Sequence, residues 1–526
     1  MRLVWMLLMP FAIVFAQTLK VEKDAWVGFE SINVEDLKSF DTYLSSDKLQ
    51  GRETSYPGEK LAAAYIADHF KSLGLKPVGD NGTFFQHYNV ELIRESDEST
   101  IAVKTQNGSK DFAWLKDFLS FGGRDTTVSG SIAFIGYMDN VTSDAMKQNL
   151  AGKVLFVFAG QRRAVNDTSS VQLTRRGLQF RPVPGAAATV VLMDNEGPAS
   201  YDRLAGQLAS FGILRGRMQL KGEESTRSVR QAPLMFYASP SIGEYVLKAT
   251  GKTVDQIRNS AYRDSVFAPV VLDDVSLSIH SKVVKEERQA ENVVGLLEGS
   301  DPVLKKQVVV FSAHFDHLGV GANGAIYHGA DDDGSGTSMV MDLAQAFSKN
   351  PVKPKRSLLF LTVSGEEKGL LGSSYYTSHP IIPLDETIAD FNTDMIGRMD
   401  TTHERTKDTP YTYLIGSDKI STELDSVLQA ANKESNNIQF DYTYDSPNDP
   451  NHFYTRSDHY NFARKGVPIA FFFTGVHVDY HQPTDTVDKI LFDRMVKIGQ
   501  VVYYAGWKTA NFIRMFAKNV SSSEYK

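Results

Sequence analysis

Gln307–His317 reads QVVVFSAHFDH. Its first half, QVVVFS, is a continuous apolar run, the pattern of a strand buried on both faces. The run ends in Ala313-His314-Phe315-Asp316-His317, which places His314 and Asp316 just past the strand end. Ser357–Val363 (SLLFLTV) repeats the design and runs into Ser364-Gly365-Glu366-Glu367-Lys368-Gly369. Val467–Phe473 is a further strand of this kind. Between them Met339, Leu343 and Phe347 recur at helical spacing, and Asp488–Phe512 predicts a long closing helix. Strands alternating with helices predict an α/β fold, a sheet covered by helices. In such sheets ligands bind at the carboxyl ends of the strands.

Composition narrows the chemistry. The 526 residues carry 63 acidic and 56 basic side chains, a net charge of −7. That balance gives no electrostatic reason to bind nucleic acid or an anionic membrane. There is no cysteine, which excludes disulfides, thiolate metal sites and cysteine nucleophiles. Any metal must be held by His, Asp and Glu. Nine of the twelve histidines follow residue 300, so function is sought there. No G-x-S-x-G elbow marks a serine hydrolase.

At the amino end, Arg2 precedes the apolar run Leu3–Phe15, and Val14 and Ala16 are small residues ahead of Gln17. This pattern predicts a signal peptide over residues 1–16, cut after Ala16, and a secreted or periplasmic protein. No later run is long and apolar enough for a membrane span. Asp36–Leu75 reads as helical, with Leu61, Ala64, Ile66, Phe70 and Leu73 periodic and Gly74 closing it. Thr83–Ile93 reads as a strand. From about Ser109 to Pro269 short β-rich runs, among them Ser131–Tyr137, Lys153–Ala159 and Ala186–Met193, are separated by Gly and Asn turns. The expected organisation is 17–108 as the first part of the main domain, 109–269 as an inserted domain, and 270–526 as the remainder.

Five stations after residue 300 carry acids and histidines. Asp316 is placed to orient the imidazole of His314, a common device for metal-bound histidine. Gly329–Gly336 (GADDDGSG) sets three adjacent aspartates at a helix start. One suffices as an N-cap; three invite a cation. In Glu366-Glu367 one acid can bind metal while its neighbour serves as general base. Asp394, in Asn392–Gly397, is an acid in an apolar setting, and Asp479–Thr486 (DYHQPTDT) contains His481. His314, His481, Asp332, Glu367 and Asp394 make five ligands. With one carboxylate bridging, they suit two divalent ions, each keeping an open position for water.

The order H-x-D, G-A-D-D, G-E-E, N-x-D-M-I-G and D-Y-H-x-P-x-D-T resembles the co-catalytic dizinc aminopeptidases of peptidase family M-twenty-eight. The resemblance covers about residues 30–95 and 285–515, including Leu49–Tyr88. It implies a zinc-exopeptidase-like mixed β-sheet sandwiched by helices, with an inserted β-rich protease-associated domain. It also implies two Zn2+ ions per chain. His314, Asp332 and Asp394 would bind one, and Asp332, Glu367 and His481 the other. Asp332 is taken as the bridge through the pattern D-x-x-S-G, with Glu366 as general base and Asp316 orienting His314. A cis Asp332–Asp333 bond is implied as well.

Ser457-Asp458-His459 resembles a segment flanking the family's site. His317, His328 and His459 are assigned structural roles. Thr401–Pro410 and Asn436–Tyr454 are candidates for lining a specificity pocket. The implied function is an exopeptidase acting on peptides, an aminopeptidase first. A carboxypeptidase or dipeptidase is the alternative, with Arg398 as the candidate cation for a terminal carboxylate. A non-catalytic peptide-binding or receptor-like protein is the alternative of another class. It is disfavoured because all five ligands and Glu366 are present, and a glutaminyl cyclase because it would need only one zinc.

Overall fold

The structure is a computed structural model. It describes residues 19–519 except 121–124, 138–148, 160–182, 184, 196, 198–199, 211–215, 223–233, 264–266 and 405–409. The expected signal peptide lies outside the described residues.

Nine strands form the backbone of a ten-stranded mixed sheet. They are β1 (Phe85–Glu95), β2 (Arg217–Leu220), β3 (Val283–Leu297), β4 (Val308–His314), β5 (Ser357–Val363), β6 (Thr387–Thr393), β7 (Tyr411–Ile415), β8 (Gln439–Asp441) and β9 (Ile469–Phe473). Their order is β8-β7-β9-β6-β4-β5-β3-β1-β2, and Lys76–Pro77 pairs with β3. The central four, β9, β6, β4 and β5, are parallel, and every residue of β4, β5, β6 and β9 is buried.

The reason is visible in the alternation of side chains. Phe311, Phe360 and Phe391 face one side, where Phe311 stacks on Phe360 at 5.5 Å between centroids. Helices α1 (Val34–Leu44), α2 (Pro57–Ser72), α3 (Gly336–Lys349) and α4 (Phe492–Ala510) cover that side. Val310, Leu359 and Leu361 face the other, against Tyr376 and Phe462. The predicted helical stretch Asp36–Leu75 is thus two helices. Asn33 caps the first by accepting from the Asp36 N–H at 2.9 Å, and Pro57 opens the second.

A second, eight-stranded sheet occupies the middle of the chain. It takes in Thr100–Thr105 and Val270–Ser281 and so begins before and ends after the expected limits of 109–269. Both are plain alternating strands without the Gly and Asn turns that had marked the change of texture. β2, by contrast, falls inside those limits yet pairs with β1 of the main sheet. The chain crosses between sheets after Glu95 and again at Lys282. There the buried Glu95 carboxylate accepts from Ser99 at 2.5 Å, Ser120 at 2.5 Å and Ser281 at 3.0 Å. Among the described residues no helix is long and apolar enough to cross a membrane.

Candidate metal centre

The parallel strands deliver their acids and histidines to one end of the sheet. His314 is the last residue of β4, Glu366 and Glu367 follow β5, Asp394 follows β6, and the turn bearing His481 follows β9. Asp332 reaches the same point from the loop ahead of α3. Its peptide bond to Asp333 is cis. The three consecutive aspartates have three separate sets of partners. Asp332 turns to the histidines. Asp331 accepts from the Gly397 N–H at 2.6 Å and lies 3.1 Å from His477 Nε2. Asp333 accepts from the N–H groups of Gly336 at 2.8 Å and Met395 at 3.1 Å, tying the loop to the end of β6.

Asp332 stands between two imidazoles. Its Oδ1 is 3.3 Å from His314 Nε2, and its Oδ2 is 3.1 Å from His481 Nε2. His314 Nε2 is also 3.7 Å from Asp394 Oδ1, and His481 Nε2 is 3.3 Å from Glu367 Oε2. Among the described residues, the buried His314 Nε2, Asp332 Oδ2 and Glu367 Oε1 have no well-aligned hydrogen-bond partner. Polar atoms left unpaired in a protein interior are costly. Here they converge, and the donor set of imidazole and carboxylate suits zinc. Two overlapping groups, His314–Asp332–Asp394 and His317–Asp332–Glu367, are compact enough to hold an ion. The residues present therefore fit a metal centre.

Charge follows the same geometry. Burial works against the Asp332 carboxylate, but contacts to His314 and His481 hold its pKa well below the ordinary value. Glu367 is likewise lowered to about 2, its burial outweighed chiefly by His481. Glu366 moves the opposite way. Burial pushes it up against the pull of His314, and Glu367 and Asp394 add repulsion. Two adjacent glutamates are thereby given different protonation behaviour, the separation that acid–base roles need.

Several placements differ from the sequence reading. Asp316 does not reach His314 with its carboxylate, which is 3.8 Å from Nδ1; the close contact is from Nδ1 to the Asp316 main-chain oxygen at 3.1 Å. The carboxylate instead accepts from Thr54 at 2.7 Å and from the Glu366 N–H at 3.1 Å. The turn after β4 brings the carbonyl, not the side chain, under the ring. His317, assigned a structural role, sits with Nδ1 2.9 Å from Glu367 Oε1. His328 and His459 are held away from the centre, His328 by Asp47 at 2.8 Å and His459 by the Tyr454 carbonyl at 2.9 Å. Arg398 is drawn into an ion pair with Asp479 at 3.1 Å.

Other groups had no individual contact assigned to them in the sequence reading. Ser457 donates to Asp394 Oδ2 at 2.6 Å and accepts from Asn392 at 3.0 Å. Asp485 accepts from the N–H groups of Asp331 and Asp332, each at 3.1 Å. Arg52, fully buried, donates to the carbonyls of Phe315 at 2.7 Å, His328 at 2.8 Å and Gly329 at 2.9 Å. It joins the loop after β4 to the loop carrying Asp332. Beside the centre lies a cleft lined in part by Met395, Phe453, Phe471 and Phe473. Phe453 belongs to the stretch Asn436–Tyr454; half of Thr401–Pro410, residues 405–409, lies outside the described residues.

Comparison with known proteins agrees with this arrangement. Residues 292–506 match the pattern of Peptidase family M28. Aminopeptidase YwaD of Bacillus subtilis (strain 168) is 26% identical over 220 residues, 40% of this chain and 43% of that protein. The probable leucine aminopeptidase 2 of Aspergillus oryzae (strain ATCC 42149 / RIB 40) is 33% identical over 205 residues, 38% of this chain and 36% of that one. The chain thus spans less than half the length of either curated relative. Among solved structures, the aminopeptidase from Aneurinibacillus sp. strain AM-1 shares the fold at a TM-score of 0.55 and 19% identity, over 95% of this chain and 98% of that chain. The strand-end histidines and acids lie within the matched segment, and over residues 292–506 the chain resembles peptidase family M28.

Proposed function

We propose that the chain is an exported dizinc exopeptidase, an aminopeptidase that removes N-terminal residues from peptides. The observation that carries the reading is Asp332 set between His314 and His481, one imidazole at each carboxylate oxygen. His314, Asp332 and Asp394 would hold one ion, and Asp332, Glu367 and His481 the other. Such ions, when bound, supply Lewis acidity and lower the pKa of an attached water.

The chain's own groups do the rest. Glu366, whose Oε2 lies 4.0 Å from His314 Nε2, takes a proton from the attacking water and returns it to the leaving amine. Asp316 fixes Glu366 by accepting from its main-chain N–H. Ser457 steadies Asp394 from behind. His317 faces the outer oxygen of Glu367 and limits how that carboxylate can turn. The curated relatives in Bacillus subtilis and Aspergillus oryzae are aminopeptidases, which favours that activity. The carboxypeptidase alternative relied on Arg398, whose guanidinium is engaged by Asp479.

The test is mass spectrometry of zinc-loaded protein with peptide pairs that differ only in N-acetylation. Stepwise shortening of the free-amine peptides alone is expected. Equal cleavage of both members, or shortening from the carboxyl end, refutes the aminopeptidase reading. N-terminal sequencing of the exported protein, expected to begin at Gln17, tests the export half.

A further inference from the structure

We propose that Arg456 is a specificity residue that receives a carboxylate of the peptide substrate. The inference rests on the peptidase reading above and names the charge of the substrate. The cleft beside Asp332, Glu366 and Asp394 has an aromatic wall, in which Phe453 and Phe473 lie 4.9 Å apart and Phe471 and Phe473 5.4 Å. Arg456 and Tyr480 complete the lining. The guanidinium is exposed to the cleft, 4.8 Å from the centroid of Phe453, and it donates to the Tyr480 hydroxyl at 3.3 Å.

Among the described residues no carboxylate stands within ion-pair distance of Arg456. Its nearby counterparts are taken: Arg398 and Lys489 pair with Asp479, at 3.1 Å and 2.9 Å, and Lys368 pairs with Glu53 at 3.0 Å. Among the described residues Arg456 alone brings a cation to the cleft lining.

Its position is fixed from two sides. The ring of Phe453 and the hydroxyl of Tyr480 hold the head, and the next residue, Ser457, is bonded to Asp394. A stacked guanidinium keeps its planar fork presented, so it gives up little freedom when it takes a carboxylate. The acids of the cleft lie at its metal-binding end. A single cation at the aromatic end therefore favours an anionic substrate group and opposes a cationic one. Two parts of a short peptide offer that group: the side chain of an N-terminal Glu or Asp, and the terminal carboxylate of a dipeptide.

Four matched substrates distinguish them. Glu-Ala-Ala-amide against Gln-Ala-Ala-amide reads the side chain, and Leu-Ala against Leu-Ala-amide reads the terminal carboxylate. In the wild type one of the two acid-to-neutral ratios of kcat/KM is expected to exceed unity by about tenfold, the lower range of a charge-assisted hydrogen bond. Arg456→Gln should bring that ratio to near one, and Arg456→Lys should restore part of it. The same ratios are read as Kd by calorimetry on the metal-loaded Glu366→Gln variant, without turnover. Absence of cleavage in the wild type refutes the peptidase reading, while the Kd ratios still decide Arg456. If Arg456→Gln moves acidic and neutral peptides by one common factor, or moves neither ratio, the proposal is wrong.

Discussion

Replacing Ser457 by alanine removes one oxygen from behind the centre and should weaken one ion while sparing the other. The Ser457 hydroxyl donates to Asp394 Oδ2 at 2.6 Å, leaving Oδ1 to face His314 Nε2 at 3.7 Å. A hydrogen bond to a charged acceptor contributes about 1.5–3 kcal/mol. At about 1.4 kcal/mol per factor of ten, its loss corresponds to roughly a tenfold to hundredfold weaker site. Groups that orient metal ligands cost about the same when removed. Ser457 touches neither Glu367 nor His481, so the second site should keep its affinity. The amide of Asn392 also loses its acceptor, which should lower stability by about 1 kcal/mol. The assay is zinc release during titration with a competing chelator. One of two release steps should move to lower chelator concentration and the other should stay. Two steps moving together, or a shift under about threefold, would refute the assignment of Ser457 to the Asp394 ion.

Glu366→Gln should lower kcat at least about a hundredfold, as loss of a general base does, with metal content by elemental analysis unchanged; a loss of twofold or less refutes the assignment. His459 is fully buried, stacked on Phe471, and its pKa is pushed down to about 3 by burial. As pH falls through about 6.5, the unfolded chain takes a proton that the buried ring refuses, so stability drops by about 1.4 kcal/mol per pH unit until the folded value is reached. Between pH 7 and 5, urea denaturation of the wild type should therefore lose about 2 kcal/mol more than that of His459→Gln. Phe311→Ala, which empties the stack on Phe360 and the tilted contact with Phe391, should cost about 3–5 kcal/mol in the same assay.

Strands β4 and β5 were legible because burial on both faces leaves an unbroken apolar run, and the acids beyond them stood out against it. Four of the five residues read as ligands converge for that reason, because a parallel sheet brings strand ends together without any information beyond the strands themselves, and Asp332 joins them from the loop ahead of α3. What could not be read was decided by contacts between distant segments. Nothing local marks Ser457 as the partner of Asp394 or Asp485 as the acceptor for the Asp332 loop. Asp316 was misread in its atom rather than its place, because a turn of the backbone decides whether carbonyl or carboxylate meets the ring. His317 follows the strand end in an ordinary-looking position, and only the approach of Glu367 from β5 gives it a role. The edge strand β2 has a short, half-polar sequence whose identity depends on β1 lying beside it.

The Arg52 clamp has a consequence for how the protein is made. Its bond to Phe315 joins residues 263 positions apart, and the whole second sheet is synthesised between them. The segment between α1 and α2 that carries Arg52 leaves the ribosome long before the loops it must grip. Until then Arg52 has no carbonyl of Phe315, His328 or Gly329 to hold, and the apolar face of α2 has no β5 to cover. The second sheet lowers the entropic cost of that separation. Its chain enters after Glu95 and leaves at Lys282, and β1 and β3 pair from Val283↔Glu95 to Val293↔Phe85. Once it has folded, its two ends are neighbours, and most of the loop-closure entropy between the halves has already been met. With the second sheet formed, the segments that follow it should meet a partner whose two connecting ends are already close.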